Sequence, residues 1–110
     1  MQPDTSPLER IIPEIVAGFA AKNAAREQGL SASRAIIRMS ATSIRAIHRE
    51  EFERAAAMLD EAAAIRDAAL AALDGHPDVL YAGFMHDAQK EYAEARTTLA
   101  LLSGGAIPTP

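Results

Sequence analysis

The 110-residue chain contains no cysteine and no tryptophan. Without a thiol it can build neither a disulfide framework nor a thiolate metal site. Aromatic residues make up 5%, and although 49% of the chain is apolar, much of that is alanine. Side chains this thin allow close helix spacing but bury little area per residue. One domain or less of this kind is marginal alone and favours burial against other copies or another chain. No segment alternates like a strand, and no hairpin signal appears. No run is long enough to span a bilayer, because Ile11 to Ala21 is short and interrupted by Pro13, Glu14 and Gly18. The N-terminus carries Asp4 and Glu9 and lacks the basic start of a secretory signal, which makes the cytoplasm the expected location. Eleven basic residues against fifteen acidic ones give a net charge of −4. That balance opposes indiscriminate nucleic-acid binding but leaves room for a local basic strip. Phosphate loops, dinucleotide glycine patterns and the His-Glu-x-x-His zinc motif are also missing. His48, His76 and His86 lack ligand spacing and read as surface or turn residues.

What is present is helical. Residues 1–12 read as a loose tail leading into a helix start, with Ser6 as N-cap, Pro7 in the first turn and Glu9 behind it. Pro13 either marks the start of the helix proper or kinks a short first turn. Ile15, Val16, Phe19, Leu30, Ile37, Ile44 and Ile47 then keep a helical period. Gly29 need not end it, since one internal glycine costs only about 1 kcal/mol, although Ser31 or Ser33 could cap a second helix. The expected elements are one long helix over about 13–49 and two shorter ones over 50–73 and 77–102, with an extended tail at 104–110. Glu50, Glu51 and Glu53 suit the start of the second helix, where carboxylates meet the positive end of the dipole. Its stripe is Phe52, Ala55, Ala56, Leu59, Ala63, Arg66, Leu70 and Leu73, with the aliphatic stem of Arg66 packed. Gly75 is expected in the left-handed conformation at its end. Pro77 opens the third helix and Ser103-Gly104-Gly105 stops it. The fold class is all-α: three antiparallel helices, domain residues 13–103.

Two sets of like charges stand out. Arg34, Arg38, Arg45 and Arg49 project within about 60° of one another on the first helix, with the Ile37 and Ile44 side turned away. A straight basic strip on an acidic chain suits a track of phosphates. The blander alternative is pairing with carboxylates of a neighbouring helix, worth little if exposed. On the third helix, Asp87, Glu91 and Glu94 share an arc of about 60°, where they repel one another. The stripe therefore asks for a cation, a basic partner or simple solvation. Tyr81, Phe84, Ala88, Tyr92, Ala95 and Leu99 occupy a separate arc that faces a core. The same aromatics could stack bases. Met39, Met58 and Met85 read as packing.

Two segments resemble the translin family, which includes translin-associated factor X. One is Ser33-Arg34, then Ser40, then Ser43-Ile44-Arg45-Ala46-Ile47-His48-Arg49-Glu50-Glu51-Phe52. The other is Tyr81-Ala82-Gly83-Phe84 through Glu91-Tyr92-Ala93-Glu94-Ala95, similar to the factor X signature Glu-Tyr-x-Glu-Ala. The likeness spans most of residues 20 to 108, including Gly105-Ala106-Ile107-Pro108. It implies an all-helical, translin-like bundle that assembles into closed oligomers and binds single-stranded RNA or DNA, with Arg34, Arg38, Arg45 and Arg49 on the inner face.

The factor X branch implies a metal-dependent endoribonuclease in which residues matching Glu91 and Glu94 are catalytic metal ligands. Asp87 lies on the same stripe as a further candidate metal ligand, though the resemblance carries no role onto it. Mg²⁺ or Mn²⁺ would suit such oxygen ligands, activating water and neutralising phosphate charge. The family's site also draws acidic residues from a later helix, beyond Leu102. The resemblance therefore implies a split protein completed by a complementary C-terminal chain, a short self-assembling form, or a truncated piece. Three functional expectations follow: a single-stranded nucleic-acid-binding oligomer first, a metal-dependent endoribonuclease second, and a helical interaction module with no nucleic-acid role third. No membrane partner is expected.

Overall fold

The computed structural model describes residues 6–80 and 83–104. The loose tail expected at 1–5, the core position expected for Tyr81 and the tail from 105 onward lie outside the described residues. Among those described, the chain is all-α with no strand: α1 (Ser6–His48), α2 (Phe52–Ala72), a single turn α3 (Pro77–Leu80) and α4 (Phe84–Leu102).

Helix α1 is one uninterrupted helix of 43 residues. It begins at Ser6, ahead of Pro13, rather than near position 13. Pro13 removes one hydrogen bond, to the carbonyl of Glu9, and the helix continues through that single loss. Gly29 is buried inside it. The helix stops in two backbone hydrogen bonds that close a Schellman motif: Glu50 N–H donates to the Ile47 carbonyl and Glu51 N–H to the Ala46 carbonyl, each at 2.9 Å. The left-handed position of that motif is held by Glu50, at φ 62°, where glycine is the usual occupant. Glu51 is then the N-cap of α2.

Helix α2 ends at Ala72 in an ordinary right-handed cap, where Leu73 N–H donates to the Ala69 carbonyl at 3.0 Å. Gly75 does not take the left-handed conformation expected of it; Gly83 and Gly104 do. Gly83, at φ 91°, immediately precedes α4. That is why the single helix expected over 77–102 is instead a turn and a 19-residue helix. Gly104, at φ 78°, follows the end of α4, as the Ser-Gly-Gly stop suggests.

Helices α2 and α4 both pack along the C-terminal half of α1 and touch each other less. Near one end of the core, Ala32 and Ile36 of α1 meet Ala62 and Ala69 of α2 and Met85 and Ala88 of α4. Near the other, Ala46 and Ile47 meet Ala55, with Phe52 and Leu99 against them. Alanine on both sides lets the helix axes approach closely. The buried seam of α1 is Gly29, Ser33, Ile36, Ser40, Ser43 and Ile47, flanked by Ala25, Ala32 and Ala46. Ile37 is exposed and Ile44 half-buried. The sequence-based assignment of the apolar side to Ile37 and Ile44 is thus rotated from the true core face by about 70°. On α2 the buried line runs through Ala55, Leu59, Ala62, Ala69 and Leu73, one position off the expected Ala63 and Leu70. Ser33 donates to the sulfur of Met85 at 3.2 Å, whereas the hydroxyls of Ser40 and Ser43 are buried with no partner.

The N-terminal half of α1 runs clear of this bundle. Positions 7–24 are all exposed. Lys22, which pairs with Asp78 of α3, marks where the bundle begins. The result is a rod of 80 × 22 × 16 Å. Among the described residues, no helix is long and apolar enough to cross a membrane.

Candidate nucleic-acid interface

Arg34, Arg38 and Arg45 of the basic strip lie on the outside of α1, and Arg49 follows in the turn after His48. At about 100° per residue, their mean direction is roughly 180° from the buried seam of Ser33, Ile36, Ser40, Ser43 and Ile47. Packing of α2 and α4 on the seam therefore turns the strip to solvent, and Arg34, Arg38, Arg45 and Arg49 are all exposed. Arg34 to Arg45 span about 16 Å of helix. Arg45 Nη2 donates to Thr42 Oγ1 at 3.0 Å, within the same helix. Among the described residues, none of the four is ion-paired. Pairs in the bundle include Lys22–Asp78, Arg54–Glu51, Arg66–Asp67 and Arg96–Asp60. Among the described residues, the strip is thus not paired with carboxylates of a neighbouring helix.

The acidic stripe falls on one side of α4. Asp87 and Glu94 are exposed and Glu91 is half-buried. Glu94 and Lys90 line an open groove together with Ala93, Thr97 and Thr98 of α4 and Ile44 of α1. Thr98 is held in the helix by its hydroxyl, which donates to the Glu94 carbonyl at 2.8 Å. Among the described residues, no three His, Asp or Glu side chains come together to hold a metal ion. Asp87, Glu91 and Glu94 thus share a side of α4 without forming a cation site by themselves, and Mg²⁺ or Mn²⁺ would need further oxygen donors there. His48 and His86 are exposed and His76 is half-buried in its turn.

A second charged cluster joins α2 to α4 on the opposite flank. The ring of Tyr92 lies between two guanidinium groups, Arg66 at 5.0 Å and Arg96 at 5.3 Å from its centre. Arg96 Nε donates to the Tyr92 hydroxyl at 2.8 Å, and Arg96 Nη2 donates to Asp60 at 2.6 Å. Burial acts to lower the Arg96 pKa. The hydrogen bonds to Asp60 and Tyr92 outweigh it and hold the guanidinium above its ordinary value. Arg96 therefore stays charged wherever the protein is folded. The Arg66 stem packs as its sequence position suggests, but its head is engaged with Tyr92 rather than left to solvent. The Tyr92–Arg96 half of this cluster is visible in the sequence as an i, i+4 pair. Asp60, 36 positions away in sequence from Arg96, gives no such signal. Tyr92, half-buried between two arginines, is a core and bridging residue here.

No protein-family model matches the chain, and comparisons with curated proteins and with solved structures found no match.

Proposed function

We propose that this chain is a translin-like, oligomeric protein that binds single-stranded RNA or DNA along the arginine ridge of α1. The observation that carries the reading is the ridge itself: three exposed arginines in line over about 16 Å of α1, with Arg49 exposed in the turn beyond, and no carboxylate partner among the described residues. Holding four like charges together without neutralisation costs free energy, and a polyanion relieves it by releasing its own counterions. The resemblance of the two segments to the translin family supports the same class of ligand. Within this reading the three long helices are antiparallel and the location is cytoplasmic.

The test is fluorescence anisotropy with a labelled single-stranded 20-mer at several salt concentrations. Four phosphate contacts give a log–log salt slope of about −3, and each arginine removed lowers its magnitude by about 1. The double variant Arg38→Glu, Arg45→Glu abolishes binding while helical content is kept. Full affinity in that variant would sink the proposal and leave the helical interaction module.

The endoribonuclease alternative rests on the resemblance of Glu91 and Glu94 alone. It requires further acidic ligands from another chain, and its signature is Mn²⁺- or Mg²⁺-dependent cleavage lost in Glu91→Ala.

A further inference from the structure

The N-terminal arm of α1 carries an apolar face that stays exposed, with no other described residue over it. Leu8, Ile11, Ile12, Ile15, Val16 and Phe19 are between 45% and 73% exposed. They lie on one arc of about 140°, with Glu9, Arg10 and Glu14 outside it. Single exposed hydrophobics are ordinary, but six large ones on one helix face form a patch of the size that marks an interaction surface.

Two observations say what covers it. The first is shape. At about 100° per residue the six positions centre about 70° round the helix from the buried seam of α1, on the side of Ile37 and Ile44. The arm's stripe is thus a separate face, and its three- and four-residue spacing on a straight helix fits another helix. The second is self-complementarity. Positions 8, 11, 12, 15, 16 and 19 read the same in both directions about a centre between Pro13 and Glu14. Two antiparallel arms related by a two-fold axis there set Leu8 level with the partner's Phe19, Ile11 with the partner's Val16 and Ile12 with the partner's Ile15. Every large apolar residue meets another, as an isologous interface requires. In that register Lys22, where the bundle begins, lies level with position 5 of the other copy, past the start of its helix at Ser6. The two bundles therefore sit at opposite ends and do not collide.

The area is sufficient. At their observed exposures the six side chains present at most roughly 700 Å² per chain, so complete cover of both sets removes up to roughly 1,400 Å² from water, in the lower part of the range of specific stable interfaces.

We infer that the occupant of this face is a second copy of the chain, bound arm to arm in antiparallel register with its two-fold axis between Pro13 and Glu14. This gives the assembly named in the proposed function a surface and a register, and it rests on that part of the reading; the arginine ridge takes no part in the contact.

Sedimentation equilibrium of the protein without nucleic acid should return twice the 11.7 kDa chain mass. Ile12→Asp with Ile15→Asp should raise the dimer dissociation constant at least about 100-fold, since these residues sit at the centre of the interface. Because the native chain has no cysteine, single-cysteine variants report the register directly. A mixture of Ile12→Cys and Ile15→Cys chains should form the mixed disulfide well ahead of the Ile12→Cys homodimer. A monomer at high concentration, an assembly unaffected by the two aspartates, or an Ile12→Cys homodimer that forms as readily as the mixed pair would each overturn the inference. The Arg38→Glu, Arg45→Glu variant should dimerise as the native chain does. A monomer that still binds the 20-mer would remove the arm pairing and leave the ridge standing.

Discussion

The two halves of α1 share a helix but neither an apolar face nor a side-chain size. From Ala25 to Ile47 the seam is mostly alanine, serine and glycine, and it is covered by α2 and α4. From Leu8 to Phe19 the apolar face is leucine, isoleucine, valine and phenylalanine, and it is exposed. Small residues set close helix approach, where the gain comes from many short contacts. Large residues gain mainly from leaving water, at about 25 cal/mol per Å², and here they have not left it. The covered half is built for a partner already in the chain; the bare half holds its apolar area in reserve.

Substitutions can break this contrast. The largest expected effect is in the covered half. Leu59 is fully buried, and Leu59→Ala should cost about 3 kcal/mol, from lost transfer energy and a cavity, read as a lower urea midpoint. A loss under about 1 kcal/mol would mean that the bundle collapses onto the gap. Ser40 and Ser43 sharpen the contrast from the other side, because their buried hydroxyls have no partner. Ser40→Ala should therefore gain about 1 kcal/mol, since it removes an unmet desolvation cost at little change in volume. A destabilised Ser40→Ala would show that the hydroxyl is bonded in solution. Glu50→Gly should stabilise by about 1 kcal/mol, because glycine carries no penalty in the left-handed position that ends α1. The smallest effect belongs to the arm. In dilute protein, where copies are apart, Phe19→Ala should move the melting of the bundle by less than about 0.5 kcal/mol, although Phe19 is a larger residue than Leu59.

Much of the architecture is legible in the sequence. The all-α class follows from periodicity, and the stops at His48 and Leu102 follow from turn and glycine signals. The side of α1 that packs is harder to read. Large apolar residues stand at 36, 37, 44 and 47, on two sides of the helix, and periodicity weights them equally. Serines and alanines decide which pair is buried, because they admit α2 and α4 closely, and small or polar residues carry no hydrophobic signal. The break at Gly83 is hidden for a related reason: one glycine inside a helical pattern is tolerated until its φ is known. The arginine ridge is readable from spacing alone. Its freedom from ion pairs depends on where α4 presents Asp87, Glu91 and Glu94, and only the packing angle fixes that. Nor can sequence tell that α2, at 21 residues, covers only half of a 43-residue helix.

That mismatch in helix length has a hydrodynamic consequence. A compact chain of this size has a radius of gyration of about 13 Å; the value here is 20.4 Å. Friction on such a rod slows its drift through water, and its rotation about the long axis outpaces its end-over-end tumbling. On a gel-filtration column calibrated with spherical standards, one copy elutes ahead of its mass and imitates a larger particle. Copies of this protein should be counted by equilibrium in a centrifugal field or by light scattering, where shape drops out.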